Sequence, residues 1–222
     1  MEDWTGVIAI DGPAGAGKST VAKKVASELG IRYLDTGALY RALAFFLDRL
    51  SIPAEESEVL SKALSHVAVD ICDSKVLLND EDVSSFIRTP KVDKIASLYS
   101  ALPTVREKLL SLQREQALKG GLVADGRDMG TVVFPYAPVK IFLTARAEVR
   151  AKRRFDELNE RGLKVDYSKI LEEIKQRDEA DAHRAIAPLK QAADAVLVDS
   201  SEKTIDEVVE EIVMTARRTV HA

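Results

Sequence analysis

The run Gly12-Pro13-Ala14-Gly15-Ala16-Gly17-Lys18-Ser19 constrains this chain more than any other, because it spells G-x-x-x-x-G-K-[ST]. Such a loop works through its backbone. Successive N–H groups wrap an anion at close range, so several positions must tolerate unusual dihedral angles. The geometry also needs a strand to deliver the loop and a helix whose positive end faces the same anion. Both flanks fit. Val7–Ile10 is a short apolar run, and Lys18–Leu29 carries Val21, Ala22, Val25, Ala26 and Leu29 at helical spacing, with Gly30 placed to stop it. The segment from Gly12 to Ser19, extended by Thr20, reads as a cradle for nucleotide phosphates. Lys18 supplies a point charge on them and the Ser19 hydroxyl a ligand for Mg²⁺.

Four more apolar runs repeat the first: Ile31–Leu34, Leu122–Ala124, Val139–Leu143 and Val196–Val198. The runs at 7, 139 and 196 are nearly continuous Val, Ile, Leu and Phe, the pattern of strands covered on both faces. Helical patterns fall between them, at about Ala38–Leu50, Pro103–Lys119 and from Thr204 onward. In the last, Thr204 and Glu207 form a capping box, and Ile205, Val208, Val209, Ile212, Val213 and Ala216 share a face. Strands alternating with helices predict a five-stranded parallel α/β sheet flanked by helices. One segment breaks the rhythm. Residues 66–88 alternate, with turns at Asp73-Ser74 and Asn79-Asp80, and read as a small antiparallel β insert.

Length and charge narrow the function classes. The 222 residues suit one domain, or a core with an insert. The 32 Lys+Arg against 36 Asp+Glu leave a net charge of −4, which argues against a nucleic-acid sleeve or a membrane-surface protein. Cys72 is the only cysteine, so neither an internal disulfide nor a cysteine zinc cluster can form; it reads as a small buried apolar residue. With an acidic Met1-Glu2-Asp3-Trp4 start and no long apolar stretch, the expected location is cytoplasmic, and with no obvious exposed apolar helix the default state is a monomer.

A phosphate loop alone does not fix function. The guanine-selective N-K-x-D of regulatory GTPases and the L-S-G-G-Q of transport ATPases are both missing. Instead, arginines stand where a second phosphate-bearing ligand would sit. Thr36 and Gly37 open a helix that carries Arg41, just past the second strand. Read as residues alone, Thr36 is either a plain helix cap or a ligand contact, and Arg41 either a solvated charge or a phosphate clamp. Asp125, Arg127 and Asp128 follow the third strand, where an acid such as Asp125 suits the Mg²⁺ shell. Arg146, Arg150 and Arg154 recur every four residues, as a salt-bridged helix face or as a lid over the moving phosphoryl group. Arg177, Asp181 and Arg184 at i, i+4 and i+7 are either surface ion pairs or a sugar and phosphate contact.

These motifs resemble the bacterial-type cytidylate kinases of the P-loop nucleoside monophosphate kinase group over nearly the whole chain. They are Ile10–Thr20, Leu34–Arg41, Ile87-Arg88-Thr89, Ala124–Pro135 and Arg177-Asp178 through Arg184–Leu189. The resemblance implies ATP·Mg²⁺-dependent phosphorylation of CMP and dCMP in pyrimidine nucleotide metabolism, with an NMP-binding region over 36–98 and a helical lid over 147–166. It implies that Ser97, Arg106 and Asp128 read the cytosine and that Thr36, Arg177 and Asp181 sit near the sugar. Arg41, Arg127 and Arg184 would hold phosphate, and Arg150, Arg153 and Arg154 would belong to the lid. The residues alone leave two alternatives: a kinase for another small acceptor, or a nucleotide-dependent regulatory switch.

Overall fold

The structure is a computed structural model that describes residues 4–72 and 75–220. It divides into two compact units, one formed by the chain up to Leu34 together with Ala117 onward, the other by Asp35–Gln116.

The first unit is built on a five-stranded sheet of β1 (Val7–Asp11), β2 (Arg32–Asp35), β6 (Leu122–Gly126), β7 (Val139–Thr144) and β8 (Val196–Asp199), in the order β2-β6-β1-β7-β8. β1 pairs parallel with both β6 and β7, and β7 with β8, in the register Ile10↔Asp125, Asp11↔Phe142 and Phe142↔Leu197. The central strand is the one that delivers the glycine loop. Its Ile8 and Ile10 are fully buried with Val21, Val25, Ile141, Leu143, Val208, Ile212 and Val213. That cluster joins one face of the sheet to α1 (Lys18–Leu29) and α8 (Ile205–Val220). The predicted capping box is present: Thr204 N donates to Glu207 at 2.7 Å and Glu207 N to Thr204 Oγ1 at 3.3 Å.

Two expectations for this unit are corrected. β8 lies at the sheet edge with Val196 and Leu197 exposed, so its continuous apolar run does not mean cover on both faces. Ile205 is also exposed, because it occupies the first helical turn ahead of the face that packs. α6 (Ala147–Glu160) and α7 (Tyr167–His183) share a small core of Ala151, Leu158, Ile170 and Ile174, with Phe155 edge-on to Tyr167 at 6.1 Å.

The second unit holds α2 (Thr36–Arg49), α3 (Glu58–Ser65), α4 (Pro90–Tyr99) and α5 (Pro103–Ala117), with the antiparallel sheet β3 (Val69–Cys72), β4 (Lys75–Leu78) and β5 (Glu81–Asp82). The predicted insert is this sheet. Asn79 and Asp80 both take positive φ, the two-residue turn that matches strand twist. The turn expected at Asp73-Ser74, the burial expected of the Cys72 side chain and the start Met1-Glu2-Asp3 lie outside the described residues. α2 begins at Thr36, as the reading of Thr36 and Gly37 as the opening of this helix expects and two residues before its apolar stripe, and the cap is Asp35, whose Oδ1 accepts the Ala38 N–H at 2.8 Å. α3 and α4 were not anticipated. Each carries a signal: Ser57 caps the first, and Thr89 caps the second with Pro90 in its first turn.

Candidate active site

The glycine loop takes its shape from three left-handed or extended-positive positions: Gly12 (φ 151°), Gly15 (φ 76°) and Gly17 (φ 89°). At Gly12 a Cβ would stand 1.9 Å from the carbonyl oxygen of Leu143, so only glycine lets the loop leave β1 against β7. Gly17 caps α1, and the loop wraps the N-terminus of that helix. Lys18 is buried and donates to the Pro13 carbonyl at 2.8 Å. Burial pushes its ammonium pKa well down, the Arg127 charge adds to this, and Asp125 and Asp11 oppose it. Arg177 lies in the same field. Cations and carboxylates therefore converge on the phosphate lysine, as expected where polyanions are handled.

The predicted metal pair is brought together. Ser19 Oγ donates to Asp125 Oδ2 at 2.9 Å, and Tyr33 Oη to Asp125 Oδ1 at 2.8 Å. A hydroxyl and a buried carboxylate side by side form the hard-oxygen set that suits Mg²⁺ held with its waters. Tyr33 was not anticipated.

Arg127, Asp128, Asp181 and Arg184 form a second constellation. Arg127 Nε donates to Asp181 Oδ2 at 2.7 Å. Arg184 Nη2 meets Asp128 Oδ1 at 3.4 Å, with both side chains nearly buried. Burial would raise the Asp181 pKa, but Arg127, Arg177 and Arg184 together hold it below the usual carboxylate value. The i, i+4, i+7 reading is corrected in one respect. Arg177 and Asp181 lie on α7, but the helix ends at His183 and Arg184 is extended (φ −61°, ψ 141°). A tight turn makes up the difference: Ala187 takes φ 48°, its carbonyl accepts Arg184 Nε at 2.5 Å, and Leu189 N donates to Asp181 O at 2.7 Å.

Asp128 opens a wide turn, Met129–Val133, in which Val133 N bonds Asp128 O and Phe134 N bonds Met129 O five residues back. Such π turns gather at functional sites. Asp11, the last residue of β1, was not singled out from sequence. It is 4% exposed and accepts the Met129 N–H at 2.7 Å and the Gly130 N–H at 2.8 Å.

The arginines of α6 part company. Arg146 is the residue before the helix and pairs outward with Glu202, so it does not share a face with the other two. Arg150 is buried. It donates to the Ala14 carbonyl at 3.0 Å and forks onto Asp178 at 3.0 and 2.6 Å, tying the glycine loop to α6 and α7. Arg153 reaches Ser200, whose hydroxyl contacts Ala16 O and Thr144 O. Arg154 meets Glu157 at 2.9 Å.

Four predicted residues belong to the second unit. Thr36 is buried in the first turn of α2, and Arg41 Nη2 sits 3.2 Å from both Asp35 oxygens, with Arg88 Nη2 at 3.4 Å from the same carboxylate. Ser97 is half-buried on α4. Arg106 is buried on α5, donates to Ser100 O at 3.2 Å and lies 5.5 Å from the centre of the Tyr40 ring.

A family profile described as cytidylate kinase matches residues 8–218. The chain is 48% identical over 221 residues to the cytidylate kinase of Colwellia psychrerythraea strain 34H, covering 97% of this chain and 98% of that one. It is 50% identical over 213 residues to the cytidylate kinase of Methylococcus capsulatus strain Bath, covering 95% and 96%. Among solved structures, a gluconokinase from Sinorhizobium meliloti 1021 aligns over 98% of this chain and 94% of its own with a TM-score of 0.51, at 17% identity, a likeness of fold.

Proposed function

The chain belongs to the cytidylate kinase family, and on that premise we propose that it transfers the γ-phosphoryl group of ATP to CMP and dCMP. The observation that carries this reading is a second charge system beside the glycine loop: Arg127 and Arg177 act on Lys18, and the same two arginines act on Asp181 together with Arg184, which pairs with Asp128. One phosphate-binding loop needs no second arginine set unless a second anion is handled beside the first.

The chemistry then follows without a strong base. The acceptor's phosphate oxygen is already anionic. It forms a bond to the γ-phosphorus as the bond to the β,γ-bridging oxygen breaks, and ADP leaves with that electron pair. The protein has to align two polyanions that repel each other and meet the charge spread over the moving group. Lys18 and residues 12–20 hold the donor phosphates. Arg41, Arg127 and Arg184 take the acceptor phosphate, and Thr36, Arg177 and Asp181 the sugar and its surroundings. Cytosine presents an amino donor beside an acceptor edge, matched by the carboxylate of Asp128 and by Arg106 and Ser97. Ser19, and Asp125 through water, would hold Mg²⁺, which would supply positive charge to the donor phosphates when bound. Residues 36–98 form the CMP-binding region, and residues 147–166, with Arg150, Arg153 and Arg154, a lid whose closure excludes water. No helix among the described residues is long and apolar enough to cross a membrane, and the reading includes a cytoplasmic monomer acting on small molecules.

The test is ADP release from ATP·Mg²⁺ with CMP, dCMP, UMP, AMP, GMP or no acceptor. Release driven strongly by CMP and dCMP is expected. Slow release indifferent to every acceptor would sink the kinase reading, and a response to a different monophosphate would remove Ser97, Arg106 and Asp128 from base recognition.

A further inference from the structure

Asp11 has no part in the roles above, yet its position links them. It is the residue immediately before Gly12, at the end of the central strand, level with Gly126 of β6 and Phe142 of β7. Each carboxylate oxygen takes one backbone N–H, from Met129 and from Gly130, the first two residues of the π turn. The leading N–H groups of any helical turn lack partners within it, and a carboxylate that takes two consecutive ones fixes both peptide planes that carry them. The first of these planes joins Asp128 to Met129. The Asp128 side chain meets Arg184, which is held in turn by Ala187 O.

The turn is closely fitted on this side. A Cβ at Gly130 would lie 3.1 Å from Lys140 Cδ, which would have to give by a few tenths of an ångström, and in van der Waals contact with Asp11 Oδ2 at 3.4 Å. Lys140 is itself anchored at Pro135 O (2.6 Å) and Asp194 (2.7 and 3.0 Å), which leaves little freedom to retreat.

We propose that Asp11 is a positioning residue that sets the orientation of Asp128, and through it Arg184, against the floor of the phosphate loop. This rests on the reading of Asp128 as the cytosine-facing carboxylate. Asp11 acts through the backbone of Met129 and Gly130. The polypeptide also bears a cost to keep this group: burial pushes its pKa up to about 6, the two N–H bonds lower it, and Asp128 raises it again while Lys18 opposes. An acid retained in such surroundings fits a functional constraint better than a packing one.

The experiment uses the full chain with Asp11→Asn and Asp128→Ala, comparing steady-state kinetics for CMP, UMP and ATP. Asparagine keeps the shape but offers one acceptor in place of two, with an amide N–H facing a backbone N–H. The expected result for Asp11→Asn is a rise in the CMP KM of about tenfold and a CMP-over-UMP preference reduced several-fold, with the ATP KM changed by less than about threefold. A loss spread equally over CMP, UMP and ATP would mean a merely structural role and overturn the proposal. So would unchanged CMP parameters in a variant set where Asp128→Ala does lose base preference. If Asp128→Ala keeps its preference, the reading of Asp128 fails and the proposal fails with it. Should Asp11→Asn not fold, Gly130→Ala presses on the same clamp from the turn side. It is then expected to show the same split between CMP and ATP at smaller size, and an unchanged CMP KM in that variant would overturn the proposal.

Discussion

The glycine loop and the constellation of Arg127, Asp128, Asp181 and Arg184, which we propose handle the same kind of charge, are built from different materials. The loop is contiguous and made of backbone: its shape depends on Gly12, Gly15 and Gly17, all at positive φ, and its one basic side chain folds back onto its own Pro13 carbonyl. The constellation is made of side chains from β6, the π turn and the end of α7, paired across 54 to 56 residues of sequence. A backbone cradle is specified by what is missing, since a single methyl group in the wrong place destroys it. A side-chain cluster is specified by what is present, and its charges can be removed one at a time while the scaffold stands.

That contrast is sharpest at Gly12. Alanine there would bring a Cβ within 1.9 Å of the Leu143 carbonyl oxygen at φ 151°, so strand spacing itself must give. Gly12→Ala is expected to lose activity altogether and to cost more than about 4 kcal/mol, seen as a melting point lower by roughly 10 °C or more. Gly17→Ala is the control inside the same loop. No atom lies within 4 Å of its would-be Cβ, so only the left-handed backbone is penalised, by about 1–2 kcal/mol. Equal melting points for the two variants would break the argument that the loop's shape is steric.

On the side-chain half of the comparison, Arg127→Ala and Arg184→Ala are each expected to lower kcat/KM for CMP by about 10²- to 10⁴-fold. Their circular dichroism spectra should match the parent. Normal turnover in either folded variant would remove that arginine from phosphoryl transfer. A collapse of the fold would show that the Arg127–Asp181 or Arg184–Asp128 pair is structural, since breaking a buried pair is itself destabilising.

The same division decided what could be read from sequence. All five parallel strands, the loop and α1 were legible, because continuous apolar runs, a glycine pattern and a 3.6-residue stripe are local signals. α3 and α4 were missed although Ser57, Thr89 and Pro90 mark their starts, because short helices give the periodicity too few turns to register. Ser19 with Asp125 was legible from strand-end logic. Tyr33 and Asp11 were not: one hydroxyl and one carboxylate in strands look like any other polar strand end until β6 and the π turn are seen beside them. Helical spacing also misjudged Arg184 and Arg146, which lie just outside their helices, since spacing does not reveal where a cap falls.

Tyr33 offers a finer cut between the two halves, because its hydroxyl touches the carboxylate assigned to Mg²⁺ and not the loop itself. Tyr33→Phe leaves Asp125 Oδ1 without that donor. The expectation is a Mg²⁺ requirement raised by about tenfold, with the CMP KM unchanged. A readout independent of turnover is the Mg²⁺ concentration needed to raise the melting point of the ADP-bound protein. An unchanged Mg²⁺ dependence would assign the Tyr33 contact to packing.

The smallest expected effect concerns stability, and its sign is the informative part. Asp11 carries a pKa raised from 3.8 to about 6 in the folded chain. Between those values the folded protein keeps a proton that the unfolded chain has released. The stability contributed by this group is therefore fully present below pH 3.8, falls as pH rises to about 6, and is constant above it. The whole change amounts to about 3 kcal/mol at most. Asp11→Asn has no such titration, so the difference in urea unfolding free energy between parent and variant should favour the parent most near pH 4 and shrink by about 1–3 kcal/mol toward pH 7. Folded Asp11 is protonated below about pH 6 and then, like asparagine, sets one acceptor and one donor against the two backbone N–H groups, so the second acceptor separates parent from variant only above that pH. A stability gap that widened with rising pH would mean that the folded-state pKa of Asp11 lies below its ordinary value of 3.8. The buried carboxylate would then be stabilised by its two N–H partners more strongly than burial disfavours it.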